Sequence, residues 1–288
     1  MAPRLLMFCI AVFVIALAAA CARPKSPASM QHDGSPQLPA STTATPADSS
    51  IQWLNVAGPD HSVIPVAVVR PRGSGPFQAV IILHGTHGFA EEYVQLARDL
   101  ASHGVLAAAA CWFSGRRGPG VRFITPIDCP DAPPLPADSD TDRFRVAGAS
   151  IRALVLAIKQ LDVVRTDKVM IFGHSRGGGA ALNYALSDSG TIAGVILNST
   201  GYPTEVASRA TELNVPLLMM HGTADAPADG GSARTAIERA RAFELALRRA
   251  GRPVDVKYYE RGKHNGIFTD RAQYRDAVDR VAAFILAR

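Results

Sequence analysis

Two hydrophobic patterns alternate along the chain after residue 50. Short apolar runs predict strands at residues 63–70, 79–83, 105–110, 168–172, 193–197, 215–220 and 254–259. Apolar residues spaced by three or four positions predict helices at residues 91–103, 143–161, 176–186, 233–250 and 271–286. Strands that alternate with helices predict an α/β fold, with a mostly parallel central sheet and helices on both faces. Pro65 lacks a backbone N–H, which places the first of these strands at an edge of the sheet.

The first twenty residues have the pattern of a targeting segment. Arg4 precedes an apolar stretch from Leu5 to Ala20 that contains neither charge nor proline. The stretch is shorter than the about 20 residues that a membrane span needs, so it predicts a signal peptide over residues 1–20. Residues 17–21 resemble a bacterial lipobox. This implies lipidation of Cys21 and an exported lipoprotein, membrane-anchored and facing the periplasm or the cell surface. An ordinary secretory signal is the alternative.

Two further segments interrupt the alternating pattern. Residues 21–50 are rich in Pro, Ser, Ala and Thr, which predicts a flexible tether before a domain at residues 51–288. Residues 114–142 are rich in proline and leave the sheet at the edge where α/β folds carry their ligands. We expect a loop or small lid beside the site there, with a solvated excursion as the alternative. Three arginines in this segment are candidates for attracting an anionic ester: Arg116, Arg117 and Arg122. The favoured alternative is that they are simply exposed to solvent.

Composition and charge exclude several classes of function. The chain has 288 residues and a formal net charge of +5, but no run of like charge exceeds two residues. No basic stripe for nucleic acid is therefore predicted. The hydrophobic fraction of 48% excludes a wholly disordered chain. Histidines and cysteines lack paired ligand spacing and no phosphate-binding glycine loop appears, so we expect no metal and no cofactor.

The clearest chemical motif lies between a predicted strand and a predicted helix. Residues 173–177 read Gly-His-Ser-Arg-Gly, a G-x-S-x-G sequence that follows the strand 168–172 and opens the helix 176–186. This is the setting of a nucleophile elbow, a sharp turn that exposes a serine hydroxyl above the sheet. The positive end of the helix also favours a developing oxyanion. Ser175 is therefore the predicted nucleophile.

A serine hydroxyl needs a base, and the base needs a carboxylate that orients it. In folds with this elbow the order along the chain is Ser, then Asp or Glu, then His. His264 is the only histidine after residue 221 and follows the last predicted strand. Asp225 follows a buried strand and is the predicted acid, with Asp229 as the alternative.

Acyl transfer also needs donors for the oxyanion. One is expected to be the backbone N–H of Arg176, the residue after the nucleophile. The loop after the strand 79–83 supplies the other, and we assign it to the backbone N–H of Thr86, with His87 as the second choice. His84 and His87 are interpreted as holding this loop. His174 and His221 are interpreted as packing beside the catalytic positions.

These motifs carry a resemblance. From about residue 51 onward the chain resembles an α/β-hydrolase of the dienelactone hydrolase superfamily, with the motifs HGTHG at 84–88, GHSRGG at 173–178, HGTAD at 221–225 and GKHNG at 262–266. Dienelactone hydrolase itself has a cysteine nucleophile where this chain has Ser175, and an acidic residue where it has Gly85. The family often has an Asp at the strand end where this chain reads Ala-Cys-Trp-Phe over residues 110–113. The resemblance therefore implies a serine ester hydrolase and does not imply dienelactone as the substrate.

Three functions follow from this pattern. The first is a serine carboxylic ester hydrolase that forms an acyl-enzyme on Ser175 and cleaves a small-molecule or polymeric ester. The second is a serine peptidase of the prolyl-oligopeptidase type, and the third is a non-catalytic surface lipoprotein on the same fold. His87, Trp112 and Phe113 are candidates for lining the substrate pocket, although the two aromatic residues also fit a role in the core.

The cysteines give one further prediction. Cys9 lies in the signal peptide and Cys21 is the expected lipidation site, which leaves Cys111 and Cys129 in an exported protein. A disulfide between these two is expected from the oxidising compartment and from their even number. A buried, unpaired Cys111 with a free Cys129 is the alternative.

Overall fold

An eight-stranded sheet organises the residues that the computed structural model describes, which are 50–115, 123–135 and 143–288. Along the chain the strands are β1 (Ile51–Ala57), β2 (Val63–Val69), β3 (Phe77–Leu83), β4 (Leu106–Ala110), β5 (Val164–His174), β6 (Gly194–Asn198), β7 (Leu217–Gly222) and β8 (Val254–Tyr259). Their order across the sheet is β1-β2-β4-β3-β5-β6-β7-β8. The pairs β1–β2 and β2–β4 are antiparallel and the remaining pairs are parallel. The predicted α/β architecture is confirmed.

Helices cover both faces of this sheet. They are α1 (Glu91–Ser102), α2 (Arg143–Lys159), α3 (Arg176–Ser187), α4 (Thr204–Ser208), α5 (Ile237–Arg249), α6 (Gly266–Thr269) and α7 (Arg271–Leu286). The central strand β3 shows how the two faces are filled. Ala79, Ile81 and Leu83 belong to one apolar cluster with α2, α3 and α5, whereas Val80 and Ile82 belong to the other with α1 and α7. A strand buried on both faces reads as a continuous apolar run, which is why the sequence revealed it.

The sequence analysis missed the first strand and therefore misplaced an edge. β1 pairs with β2 along its whole length, so the prediction that Pro65 marks an edge is wrong. In a strand, the N–H and C=O of one residue point to the same neighbour. The carbonyl of Pro65 accepts from the N–H of Cys111, just beyond the last β2–β4 pair, Val66–Ala110. Its missing N–H therefore faces the end of the shorter strand β4 and costs no ladder hydrogen bond.

Several element boundaries differ from the prediction, and two of them differ by four residues. β5 begins at Val164 rather than residue 168, because the exposed polar residues 165–167 hide the strand in a hydrophobicity pattern. α5 begins at Ile237 rather than residue 233. The residues before it form a loop in which the Thr235 hydroxyl bonds to Asp225, and this tertiary contact overrides local helix propensity.

Residues 123–135, the cover segment, pack against the chain around α1. The N–H of Glu91 donates to the carbonyl of Thr125 at 2.9 Å, and the N–H of Ile127 donates to that of Phe89 at 3.0 Å. A disulfide joins Cys129 of this segment to Cys111 at the end of β4, with Cα atoms 6.5 Å apart. This part of the proline-rich region is thus tied to the sheet at several points.

Several predictions fall outside the described residues. They concern the signal peptide, Cys21, most of the tether, and Arg116, Arg117 and Arg122. None of the helices in the described ranges is long and apolar enough to cross a membrane.

Candidate active site

Ser175 lies on a sharp turn between β5 and α3. Its backbone has φ 52° and ψ −113°, a conformation that costs a non-glycine residue about 1–3 kcal/mol and clusters at functional sites. The turn is possible because residues 173 and 177 are glycines. A side chain at Gly173 would overlap the backbone of Gly177, and one at Gly177 would overlap the carbonyl of Leu83. The glycines of the G-x-S-x-G motif therefore let α3 approach the sheet closely, and the serine hydroxyl stands at the carboxyl ends of the parallel strands.

His264 and Asp225 complete a hydrogen-bonded chain to this hydroxyl. His264 follows β8, and its Nε2 lies 2.9 Å from Ser175 Oγ. Its Nδ1 lies 2.8 Å from Asp225 Oδ2, in the loop after β7. Because a carboxylate accepts, Nδ1 carries the proton and Nε2 is left to accept the serine proton. His264 and Asp225 are 3% and 8% exposed, so the pair is shielded from water.

The carboxylate that contacts His264 belongs to Asp225 and not to Asp229. Asp229 forms an ion pair at 3.0 Å with Lys263, the residue before the histidine, and makes no contact with His264 itself in the described hydrogen-bond network. The alternative assignment therefore loses its structural support. Asp229 instead contacts the two residues that flank His264, through its ion pair with Lys263 and through its carbonyl, which accepts from Asn265 Nδ2.

Thr235 holds the acid in place, and the sequence analysis missed it. Its hydroxyl donates to Asp225 Oδ1 at 2.6 Å and accepts from the backbone N–H of Ser232 at 2.8 Å. The side chain is 5% exposed. Asp225 is thus fixed by His264 on one oxygen and by Thr235 on the other. His221 lies behind it, with Nε2 donating to the carbonyl of Thr235 at 2.7 Å, and burial lowers the pKa of His221.

The loop after β3 holds the predicted oxyanion donor. The backbone N–H of Thr86 has no hydrogen-bond partner among the described residues, and Thr86 lines the same cavity as Ser175. The loop around it is braced on two sides. The Tyr93 hydroxyl accepts from the N–H of Gly85 at 2.9 Å, and Trp112 Nε1 donates to the carbonyl of His84 at 3.0 Å. A further contact, Arg176 Nε to Thr86 Oγ1 at 3.2 Å, connects the two residues assigned as donors.

A second hydrogen-bonded chain fixes the loop that carries the base. Asn265 Nδ2 donates to the carbonyl of Asp229 at 2.9 Å, which directs its Oδ1 toward His174 Nε2 at 3.1 Å. His174 Nε2 therefore donates, and its Nδ1 accepts from Asn198 Nδ2 at 2.9 Å. Burial, more than the neighbouring histidines, lowers the pKa of His174 well below the ordinary value. His174 is a neutral link between β6 and the residue after His264.

Comparison with known proteins decides the family. The profile of the dienelactone hydrolase family matches residues 64–283, about three quarters of the chain. The chain belongs to the dienelactone hydrolase family. No curated protein matches the sequence. This places the chain in a hydrolase family and confirms the resemblance seen in the motifs.

Solved structures show the same fold for this dienelactone hydrolase family member. A putative dienelactone hydrolase from Klebsiella pneumoniae subsp. pneumoniae MGH 78578 is 19% identical with a TM-score of 0.61, and the match covers 83% of this chain and 100% of that one. A dienelactone hydrolase-like promiscuous phosphotriesterase from metagenomic libraries is 17% identical with a TM-score of 0.63, over 83% and 98% of the two chains. A puromycin-hydrolyzing peptidase from Mycobacterium tuberculosis is 14% identical with a TM-score of 0.61. That match covers 82% of this chain but 39% of the peptidase.

The cavity at Ser175 has a volume of about 360 Å³. Of the three residues predicted to line it, the structure places Trp112 on its wall. Phe113 is 1% exposed and packs 4.4 Å from the ring of His84, because the chain turns inward after β4. His87 lines a second cavity with the cover segment and bonds through Nε2 to the Tyr93 hydroxyl at 2.8 Å. Neither Phe113 nor His87 therefore lies on the wall of this cavity.

The buried histidines of the oxyanion loop have their own role. Burial lowers the pKa of His84 to about 3 and that of His87 to about 4. Both are neutral at physiological pH, so they add no charge beside the site. Together with the contacts of Tyr93 this fits the interpretation that they hold the loop. In the described ranges no group of three or more His, Cys, Asp and Glu side chains has the geometry of a metal site.

Proposed function

We propose that this member of the dienelactone hydrolase family is a serine carboxylic ester hydrolase. The observation that carries the proposal is the chain from Ser175 Oγ to His264 Nε2 at 2.9 Å and from His264 Nδ1 to Asp225 Oδ2 at 2.8 Å. It opens on a cavity of about 360 Å³, at the small end of ligand sites. This volume favours a small ester or the end of a polymer.

The reaction follows from the direction of these hydrogen bonds. Ser175 Oγ attacks the acyl carbon of the ester while His264 Nε2 takes the serine proton. The N–H groups of Thr86 and Arg176 donate to the oxyanion, and Asp225 stabilises the imidazolium. Collapse breaks the bond to the alcohol, which leaves with the proton from His264. Water then attacks the acyl-enzyme with His264 as the base again, releasing the acid and restoring Ser175.

A substrate panel tests this proposal. Purified protein is given p-nitrophenyl acetate and butyrate in one set of assays, and prolyl and alanyl p-nitroanilides in the other. We expect hydrolysis of the esters, with kcat/KM far above that for the anilides, and loss of the ester activity in Ser175→Ala. Preferential cleavage of the anilides would make the protein a peptidase. Hydrolysis of neither, with no labelling of Ser175, would leave a non-catalytic scaffold.

We also propose a cellular location for the enzyme. The sequence of residues 1–21 favours export, removal of the signal peptide and a lipid on Cys21, with the residues up to 50 as a tether. The intact mass of the mature protein tests this. We expect a chain that begins at residue 21 and carries acyl groups, and a Cys21→Ala variant without them. An unmodified chain that begins elsewhere would contradict it.

A further inference from the structure

The residues that line the single cavity around Ser175 fall into two groups. The first group, which we call the acyl lobe, lies on and beside α3 and consists of Gly179, Ala180, Leu182, Asn183, Ala147, Pro203 and Val206. The second group, which we call the alcohol lobe, consists of Gly230, Gly231, Ser232, Arg234 and Thr235. The inference rests on the proposed function, because it concerns which half of an ester enters which lobe.

The alcohol lobe lies against the base. A side chain at Gly230 would come within 3.7 Å of His264 Cδ2, and one at Gly231 would overlap Asp225 Oδ1. In ester cleavage the group that leaves is the one that receives the proton from the histidine. The leaving alcohol therefore occupies the lobe next to His264, and the acyl group extends the other way.

The acyl lobe starts at the oxyanion side and follows one face of α3. Its lining positions after Arg176 are 179, 180, 182 and 183, of which 179, 180 and 183 have the spacing of one side of a helix and Leu182 lies at its flank. The helix rises 1.5 Å per residue, so the lobe extends about 10 Å from residue 176 to residue 183. An extended acyl chain of about eight carbons spans this length.

The two lobes differ in polarity. Ala147, Ala180 and Val206 of the acyl lobe are each 6% exposed, and their side chains are apolar. In the alcohol lobe, Ser232 and Arg234 are exposed, and the Arg234 side chain has no hydrogen-bond or ion partner among the described residues. An apolar recess favours an apolar acyl group, whereas an open lobe with a hydroxyl and a guanidinium favours a polar alcohol.

At the far end of the acyl lobe one polar side chain, Asn183, lies beside the apolar Leu182. Asn183 Nδ2 donates to the carbonyl of Gly179 at 2.8 Å, which fixes the amide, and its Oδ1 has no partner among the described residues. An apolar chain that reaches Asn183 would cover this acceptor without bonding to it. Asn183 therefore sets the length limit of the acyl group.

We infer that the substrates are esters of medium-chain apolar acids with polar, polyol-type alcohols, and that Ala147 and Asn183 set acyl specificity. Each buried methylene adds about 0.8 kcal/mol, or about fourfold in kcat/KM. Two additional methylenes, from acetyl to butyryl, should therefore raise kcat/KM more than tenfold. The value should reach its maximum near octanoyl and fall for lauroyl.

Matched variants test the acyl lobe. Ala147→Leu fills the recess, whereas Ala149→Leu adds the same group to an exposed position on the same helix. We expect Ala147→Leu to lower kcat/KM for p-nitrophenyl octanoate at least tenfold and that for the acetate much less, and Ala149→Leu to change neither. Asn183→Leu, which does not overfill the core, should raise the octanoate-to-acetate ratio. A flat chain-length profile, or equal effects on both esters, would overturn the inference.

The alcohol lobe has its own comparison. With butyryl as the common acid, glyceryl monobutyrate should have a several-fold higher kcat/KM than hexyl butyrate. Equal or reversed preference would overturn the assignment of this lobe. Failure of the proposed function gives a different result: hydrolysis of neither acetyl nor butyryl esters, or ester activity that survives Ser175→Ala.

Discussion

The two halves of the candidate site are stabilised in different ways. In the triad half, polar groups fix one another: Ser175 to His264, His264 to Asp225 and Asp225 to Thr235. In the oxyanion half, a loop is held by the buried aromatic side chains of Tyr93 and Trp112, beside neutral histidines and a disulfide. Substitutions in the first half should therefore remove activity and spare the fold, whereas those in the second should lower the stability of the fold and have smaller effects on activity.

The triad substitutions have the largest expected effect. Ser175→Ala, His264→Ala and Asp225→Asn should each lower ester kcat/KM by several orders of magnitude while the unfolding midpoint stays close to that of the wild type. The losses should not add, and roughly 10³–10⁴-fold acceleration over water should survive from the oxyanion donors. Asp229→Asn is the matched control for the acid. Full activity in Asp225→Asn with loss in Asp229→Asn would reverse the assignment.

The pH profile separates the base from the other histidines. A histidine base must be neutral to accept the serine proton, so kcat/KM should fall as the pH is lowered and the base becomes protonated. His84 and His87, with pKa values of about 3 and about 4, do not titrate near neutral pH. Their lowered pKa values mean that the folded state loses stability as the pH falls from about 6.5 toward these values. Circular dichroism at each pH is therefore the control, and a rate that is flat from pH 5 to 9 would contradict a histidine base.

Substitutions at Thr235 test whether its hydroxyl positions Asp225 for catalysis. Thr235→Val keeps the shape but removes the donor to Asp225 Oδ1, so the carboxylate and His264 lose alignment. We expect kcat to fall roughly 10–100-fold with little change in KM, since misplacement of this kind costs about that much. Thr235→Ser, which keeps the hydroxyl, should restore most of the rate. Equal losses in both variants, or an unchanged kcat in Thr235→Val, would show that the hydroxyl does not act through Asp225.

Tyr93 is the corresponding test in the oxyanion half. Tyr93→Phe leaves the buried N–H of Gly85 without its acceptor, which should lower the free energy of unfolding by about 1–3 kcal/mol. The Thr86 donor should shift as well and lower kcat about tenfold, less than the roughly 10²–10³-fold that loss of a donor costs. Tyr184→Phe is the control, because its hydroxyl bonds to Thr191 away from the site. A stable Tyr93→Phe variant with full kcat would contradict the comparison.

The disulfide should have the smallest effect on activity. Replacing Cys111 and Cys129 by alanine opens a loop with a sequence separation of 18, which should lower the free energy of unfolding by about 3 kcal/mol in the chain-entropy model. Limited proteolysis after reduction should cut residues 112–142 before the rest of the domain, while the ester rate changes little. Two freely alkylatable thiols in the native, unreduced protein would contradict the bond.

The sequence predicted the two halves unequally. Ser175, Asp225 and His264 could be assigned because each follows a predicted strand and their order along the chain is fixed by the fold. Thr235 could not, because residues 233–250 read as one amphipathic helix and the hydroxyl acts only once the preceding loop has turned toward Asp225. Tyr93 lies in the predicted helix 91–103, but its contact with Gly85 depends on how that helix packs against the loop. The positions of Phe113 and His87 away from the cavity could not be predicted for the same reason, since a sequence pattern does not show which side of a turn a ring enters.

The proposed ester hydrolysis depends on an activated serine at residue 175. Labelling with a fluorophosphonate followed by peptide mass spectrometry tests this most directly, because the reagent bonds to an activated serine whatever the natural substrate is. We predict a single adduct on the peptide that contains Ser175, its loss in His264→Ala and its retention in Asp229→Asn. An unlabelled folded protein, or an adduct on another residue that persists in Ser175→Ala, would contradict the account.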